Sequence, residues 1–335
     1  MKRASIKDIA RIAGVSVATV SYVLNKKDGQ RISEETKKKI FEIAETINYV
    51  PNRIAKSLQN NKTKLLGLIV ADISNDFYSS IARHLEDKSL KLGYTLIIGS
   101  SDENPDKFAK LVELFSQQQV DGMIVAPVTG SEVILQKLVE KNYPLVTIDR
   151  YLKGINIPAI ILNNREITES TTNFLIEKDF DQIIYIGYDT KLPHLLDRQN
   201  GFESTIAESG KMISTKNILV SLENITEEIQ FKLIEVLGAN PTNTALFFSS
   251  NKLAVAGLSY LLKNNITVPQ DVSVVAFDET DAYQLFPCSI TYIKQPLVDM
   301  ADEAVKLLDM QINQYSSVAK KITLSGELVI QNSTI

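Results

Sequence analysis

Few side chains in this chain could act as nucleophiles or proton shuttles. It has two histidines, His84 and His194, and one cysteine, Cys288. A lone cysteine closes no intrachain disulfide, and its ordinary state is a buried thiol. The sequence has no phosphate loop of Walker type, no metal-spaced cluster and no Gly-x-Ser-x-Gly turn. An enzyme, a metal site or a bound cofactor therefore has no motif to rest on. The patterned chemistry is charge. Residues 1–62 carry 13 Lys/Arg against 6 Asp/Glu, and the remainder carries 23 against 34, within a net charge of −4. A basic head on an acidic body suits a polyanionic partner met by the head alone. Taken by itself, this charge fits a solvated basic surface equally well.

The elements that would present this charge are helical. Ser5 reads as an N-cap with Asp8 closing a capping box, and Ile6, Ile9, Ala10 and Ala13 share one face. Gly14 supplies the left-handed residue of a tight turn, and Ser16 caps a second helix from Val17 to about Leu24. Ser33 caps a third, which carries Ile40, Phe41, Ile43, Ala44 and Ile47 and stops ahead of Pro51. Two helices joined by a short Gly-containing turn and braced by a third form a helix-turn-helix pattern, although other three-helix bundles share its spacing.

A polar stretch, Gln59 to Lys64, reads as a boundary. Beyond it, short apolar runs alternate with amphipathic segments: Leu65–Ala71, a helix near Phe77–Leu92, Tyr94–Gly99, a helix near Pro105–Gln118, Gly122–Ala126, a helix near Ser131–Lys141 and Leu145–Ile148. The pattern restarts at Ile183–Tyr188. Helices near Arg198–Ser209 and Glu227–Leu237 follow, with runs at Ala245–Ser249 and Val272–Phe277. Two βα units in succession predict two parallel-sheet lobes with a ligand crevice at the carboxyl ends of their strands. The length suits two or three compact units. The N-terminus lacks an apolar signal-type region, and no run of eighteen apolar residues occurs, so a cytoplasmic protein without a membrane partner is expected.

The head closely resembles the lactose/galactose repressor family of bacterial transcriptional regulators. The matching residues are Ser5-Ile6-Lys7-Asp8-Ile9-Ala10, Ala13-Gly14-Val15-Ser16, Ala18-Thr19-Val20-Ser21, Val23-Leu24-Asn25, Asn48-Tyr49, Pro51-Asn52 and Ala55-Lys56-Ser57-Leu58. In the body, Val120-Asp121-Gly122, Ile148-Asp149-Arg150, Arg198-Gln199-Asn200-Gly201-Phe202, Val268-Pro269, Phe277-Asp278 and Lys294-Gln295-Pro296 look like family signatures too. The fold class this implies is an α/β core of two doubly wound parallel-sheet lobes, like a periplasmic sugar-binding protein, preceded by an all-α helix-turn-helix head. The expected division is 1–50 for the head and 51–62 for a hinge helix and linker. The N-terminal lobe is expected at 63–163 plus about 294–323, and the C-terminal lobe at 164–293 plus about 324–335.

The resemblance also implies site residues. The second helix enters the major groove with Val17, Ala18, Ser21 and Tyr22, with Thr19 beside them and Ser16 at its start. Val17 and Ala18 suit thymine methyl groups, whereas Thr19, Ser21 and Asn25 set register on phosphates. Tyr22 stands where relatives often carry Arg, which argues against bidentate guanine readout there. In the hinge, Asn52, Arg53, Ala55 and Lys56 contact the groove and backbone, and Leu58 wedges into a minor-groove step in a homodimer. In the crevice, Phe77, Tyr78, Asp149, Arg150, Arg198, Ser250 and Asp278 would bind an effector. Carboxylates and a guanidinium each make two hydrogen bonds to neighbouring hydroxyls, which is sugar chemistry. Two sites depart from the family: Ser250-Asn251 stand where relatives carry Asn-Asp, and Asn163-Asn164 where they carry Asp-Asn. No leucine heptads follow Ile330, so a dimer rather than a coiled-coil tetramer is expected. The function implied is a ligand-controlled repressor of carbohydrate-use genes that binds operator DNA. Its rivals are a regulator answering to a protein corepressor and a sugar-binding protein without gene control.

Overall fold

The computed structural model describes residues 4–24, 32–49, 62–238, 243–314 and 320–334, in two compact units, Met1–Thr63 and Lys64–Ile335. Asn25, Asn52, Arg53, Ala55, Lys56 and Leu58, and with them the expected hinge helix, lie outside the described residues.

In the first unit the sequence signals act as expected. Helix α1 (Ile6–Ala13) starts at Ser5, whose N–H and hydroxyl both donate to Asp8 Oδ2, at 3.0 and 2.7 Å. It ends at Gly14, with φ +72°. Helix α2 (Val17–Leu24) is capped by Ser16 Oγ, which accepts the Thr19 N–H at 3.0 Å. Helix α3 (Glu34–Thr46) is capped by Ser33 Oγ, which accepts from the Thr36 N–H at 3.2 Å. Ile9, Ala10, Ala13, Val20, Val23, Ile40 and Ala44 form the shared core.

The second unit holds two sheets. In chain order its strands are β1 (Leu65–Val70), β2 (Thr95–Ser100), β3 (Gly122–Val125), β4 (Leu145–Ile148), β5 (Ala159–Leu162) and β6 (Gln182–Tyr188). They continue with β7 (Ser214–Val220), β8 (Thr244–Phe248), β9 (Val272–Phe277), β10 (Thr291–Lys294), β11 (Lys321–Leu324) and β12 (Glu327–Val329). The helices are α4 (Asp76–Lys91), α5 (Pro105–Gln117), α6 (Glu132–Glu140), α7 (Asn164–Glu177), α8 (Pro193–Glu208), α9 (Ile225–Leu237), α10 (Asn251–Lys263) and α11 (Leu297–Gln314).

One sheet runs β11-β5-β4-β3-β1-β2 and the other β12-β10-β9-β8-β6-β7. Among the described residues every pairing is parallel except β10 with β12. Parallel sheets need both faces covered, and the second lobe shows why its strands read as unbroken apolar runs. Ile184, Ile186, Leu246 and Phe248 enter one core, while Ile183, Tyr185, Ala245 and Phe247 enter the other. Helix α11 follows β10 of the second sheet but packs on the first lobe, burying Met300, Ala301, Ala304, Val305, Leu308 and Ile312. The chain thus passes between lobes three times, after β5, after β10 and after β11.

Candidate functional site

The two sheets place an aspartate at the same point. Asp149 follows β4 and Asp278 follows β9, each the third strand in its sheet order. Both take the left-handed conformation, at φ +66° and +68°, which Asp tolerates better than most residues. Each donates its N–H to the neighbouring strand, Asp149 to Ile160 O and Asp278 to Ile293 O, both at 2.9 Å. Both side chains are buried. Burial raises both pKa values above the usual carboxylate range, and the Asp149 charge pushes Asp278 up further. Each carboxylate also feels the Arg198 guanidinium, which pulls the other way. Two carboxylates from different lobes and one guanidinium therefore share a buried crevice.

On the first lobe, the Tyr78 hydroxyl donates to Asp149 Oδ2 at 2.7 Å from the first turn of α4. Phe77 is buried against it edge-on, with ring centroids 5.0 Å apart. Arg150 is held by its fork: its two terminal nitrogens donate to Glu103 at 2.8 and 2.6 Å, and one also to Pro127 O at 3.2 Å. Only its Nε lacks a hydrogen bond, standing 3.5 Å from Asp149 Oδ2. Arg150 thus braces Asp149, and its terminal nitrogens are already engaged within the protein.

On the second lobe, Arg198 Nε donates to Asn164 Oδ1 at 2.8 Å and a terminal nitrogen donates to Ser249 O at 2.7 Å. The guanidinium lies 3.5 Å over the Phe277 ring. It has no carboxylate in salt-bridge contact among the described residues. Helix packing sets this position. A Cβ at Gly201 would stand 2.7 Å from Arg165 O, so glycine lets α8 lie against α7 and brings Arg198 onto Asn164. Ser250 caps α10 by accepting the Leu253 N–H at 3.3 Å, and its hydroxyl meets Tyr188 Oη at 2.9 Å. Burial and Asp278 push the Tyr188 pKa up to about 12, so its hydroxyl stays protonated.

Three residues to which sequence reasoning gave no role face the same crevice. Glu103 fixes Arg150. Gln295 Nε2 donates to Asp278 Oδ1 at 2.6 Å, and its buried Oε1 has no partner among the described residues. Buried His194, in the first turn of α8, has no partner for Nδ1 among the described residues. Burial, with Arg150 and Arg198 nearby, holds its pKa well below the usual value, so the ring is neutral. Helix α8 starts at Pro193, five residues before the sequence placed it; Pro is at home in a first helical turn, and that signal would have put His194 beside the crevice. Of the departures, Asn164 holds Arg198, Asn163 Oδ1 accepts Gly326 N–H at 2.9 Å at the third crossing, and Asn251 Nδ2 donates to Asn75 Oδ1 at 2.9 Å on the other lobe.

In the head, Ser16, Val17 and Ala18 are exposed, Thr19, Ser21 and Tyr22 are half-buried, and Val20 and Val23 face the core. Val17, Ala18, Ser21 and Tyr22 therefore lie away from the side of α2 that carries Val20 and Val23. Thr19 Oγ1 lies 2.9 Å from Ser16 Oγ, tying it to the helix start.

Comparison with known proteins sets both units in context. Residues 5–52 match the profile described as "Bacterial regulatory proteins, lacI family", and residues 172–334 match "Periplasmic binding protein-like domain". The chain is 34% identical to the HTH-type transcriptional regulator RegA of Clostridium saccharobutylicum, over 99% of both chains. It is 32% identical to the ribose operon repressor of Bacillus subtilis (strain 168), over 91% of this chain and 90% of that protein. Among solved structures, the lac repressor dimer bound to operator and the anti-inducer ONPF superposes with a TM-score of 0.83 at 22% identity, covering 100% of both chains.

Proposed function

Since the chain belongs to the lacI family of bacterial regulatory proteins, it is a sequence-specific DNA-binding transcriptional regulator, and we propose that it is a dimeric repressor released from or locked onto its operator by a sugar-like effector held between its lobes. The observation that carries this reading is the crevice itself. Asp149, Asp278 and Arg198 converge there with Tyr78 and Tyr188, and the buried His194 Nδ1 and Gln295 Oε1 have no partner among the described residues. Buried polar groups without partners are costly, so this arrangement favours a ligand rich in donors and acceptors. Phe77 supplies apolar surface beside Asp278 and Gln295. A ligand touching both lobes stabilises one lobe arrangement over the other, and its differential affinity is what shifts DNA binding.

On the DNA side, Val17 and Ala18 read base methyl groups, Ser16, Thr19 and Ser21 set register, and Tyr22 replaces a guanine-reading Arg. Asn25, Asn52, Arg53, Ala55, Lys56 and Leu58 are assigned to the same interface by resemblance alone. The test is footprinting of the full chain on genomic fragments, with and without monosaccharides at millimolar concentration. A protected near-palindrome whose occupancy changes at least tenfold with a sugar is expected. Protection that no sugar alters would remove the sugar effector, and no protection at all would remove operator control.

A further inference from the structure

A cavity of about 460 Å³ opens between the start of α4 and the loop after β9. Its size falls in the range of small-molecule sites. It shares Phe77, Asp278 and Gln295 with the crevice but has a different electrostatic character. Four carboxylates line it, those of Asp76, Asp278, Glu279 and Asp281, with three hydroxyl side chains and, among the described residues, no Lys, Arg or His. Asp278 and Gln295 are buried, at 5% and 6% exposure. Gln295 uses its amide nitrogen on Asp278 and leaves Oε1 as an unpartnered buried acceptor.

Little within the protein neutralises this wall. Glu279 has Lys294 at 3.5 Å and receives the Tyr292 hydroxyl. Asp76 receives the Thr280 hydroxyl, and Asp281 has no ion pair among the described residues. Arg198, whose charge reaches Asp278, is committed to Asn164 and Ser249 and does not line the cavity. The carboxylates are not grouped to hold a metal: among the described residues no set of three suitable ligands occurs. What fits is an organic donor with positive charge. A primary ammonium has three donors and no acceptor, so it can satisfy Gln295 Oε1 and still meet two carboxylates.

We propose that this cavity takes the ammonium group of a small organic cation. The inference rests on the reading of the crevice as an effector site; there it makes the effector an aminated polyol, with hydroxyls at Asp149 and Arg198 and the ammonium beyond Asp278.

Calorimetry on the full chain tests this with matched pairs: D-glucosamine against D-glucose, D-galactosamine against D-galactose, and 1,4-diaminobutane against 1,4-butanediol. At least one amine is expected to bind tenfold or more tighter than its hydroxyl partner, and N-acetylation of the amino sugar is expected to remove the gain. Asp281→Asn, at an exposed position, should reduce the amine preference about threefold and leave the neutral partners unchanged. Neutral sugars binding as tightly as their amines would overturn the ammonium site and leave the sugar reading standing. Binding of the diamine without any sugar would support the ammonium site and overturn the sugar reading. No binding by any amine would overturn the inference.

Discussion

His194 shows how much one side chain can reveal about a crevice. It is buried in the first turn of α8 and close enough to two guanidiniums to feel both charges. Its pKa in the folded protein lies well below the value of about 6.5 it takes when unfolded. The unfolded chain therefore binds the proton more readily. The stability that this ring contributes is present above pH about 6.5 and is lost as pH falls below it. Asp149 and Asp278 have raised pKa values and act with the opposite sign, losing their contribution as pH rises, so the comparison must be between proteins differing only at position 194. Thermal unfolding of wild type and His194→Gln between pH 7.5 and 5 makes that comparison. The wild type is expected to lose more melting temperature toward acid than the variant does; parallel curves would show that His194 is not held neutral by the crevice. The resemblance pointed to Asp149, Arg198 and Asp278 because each sits inside a recognisable motif, Ile148-Asp149-Arg150, Arg198-Gln199-Asn200-Gly201-Phe202 and Phe277-Asp278. His194 and Glu103 sit in no motif. Glu103 acts across 47 residues of chain, a pairing that periodicity does not carry. The role of Ser250 was legible only in part: its type marks a helix cap, but its contact with Tyr188 depends on a strand 62 residues away.

Helix α8 does at the element scale what those residues need. It presents His194 and Arg198 one turn apart, and it can do so only while it lies close against α7. Gly201 makes that contact possible, since a methyl group there would meet backbone, which cannot swing aside as a side chain can. Gly201→Ala is therefore expected to lower stability by roughly 1–3 kcal/mol, the usual range for overpacking, and to displace Arg198 from Asn164. Denaturant unfolding measures the first effect, and effector titration measures the second. An unchanged midpoint with unchanged binding would show that α8 reaches its place without the glycine. Long amphipathic helices such as α4 and α5, and apolar strands such as β6 and β9, follow directly from periodicity and composition. The edge strands β11 and β12 do not: they have mixed burial and partners that lie far away in sequence, unlike the equally short but fully buried β3 and β4.

At the scale of the whole core, the three chain crossings are joined by a clasp of side chains. The loop from Asp72 to Asp76 on the first lobe meets the start of α10 and the loop after β9 on the second. Lys252 Nζ contacts the Asp72 carboxylate and donates to Ser74 Oγ at 3.1 Å, Asn251 Nδ2 donates to Asn75 Oδ1 at 2.9 Å, and Thr280 Oγ1 donates to Asp76. The Asp72 pKa is lowered, with Lys252 and Ser74 outweighing a desolvation that acts to raise it. Both ion-pair partners are partly screened from water, at 33% and 26% side-chain exposure, so the pair is worth more than a fully exposed one, for which about 0–1 kcal/mol is typical. The clasp joins the lobes directly, without a ligand, beside a crevice whose own polar groups are not all matched. It therefore favours the lobe arrangement seen here over any that separates these loops. Removing it should open the lobes without altering any crevice side chain. Lys252→Ala is expected to increase the radius of gyration of the ligand-free core in solution scattering and to shift operator affinity by about threefold to tenfold. Scattering and operator binding both identical to wild type would mean that the three crossings alone hold the lobes together and that the clasp carries no part of the switch.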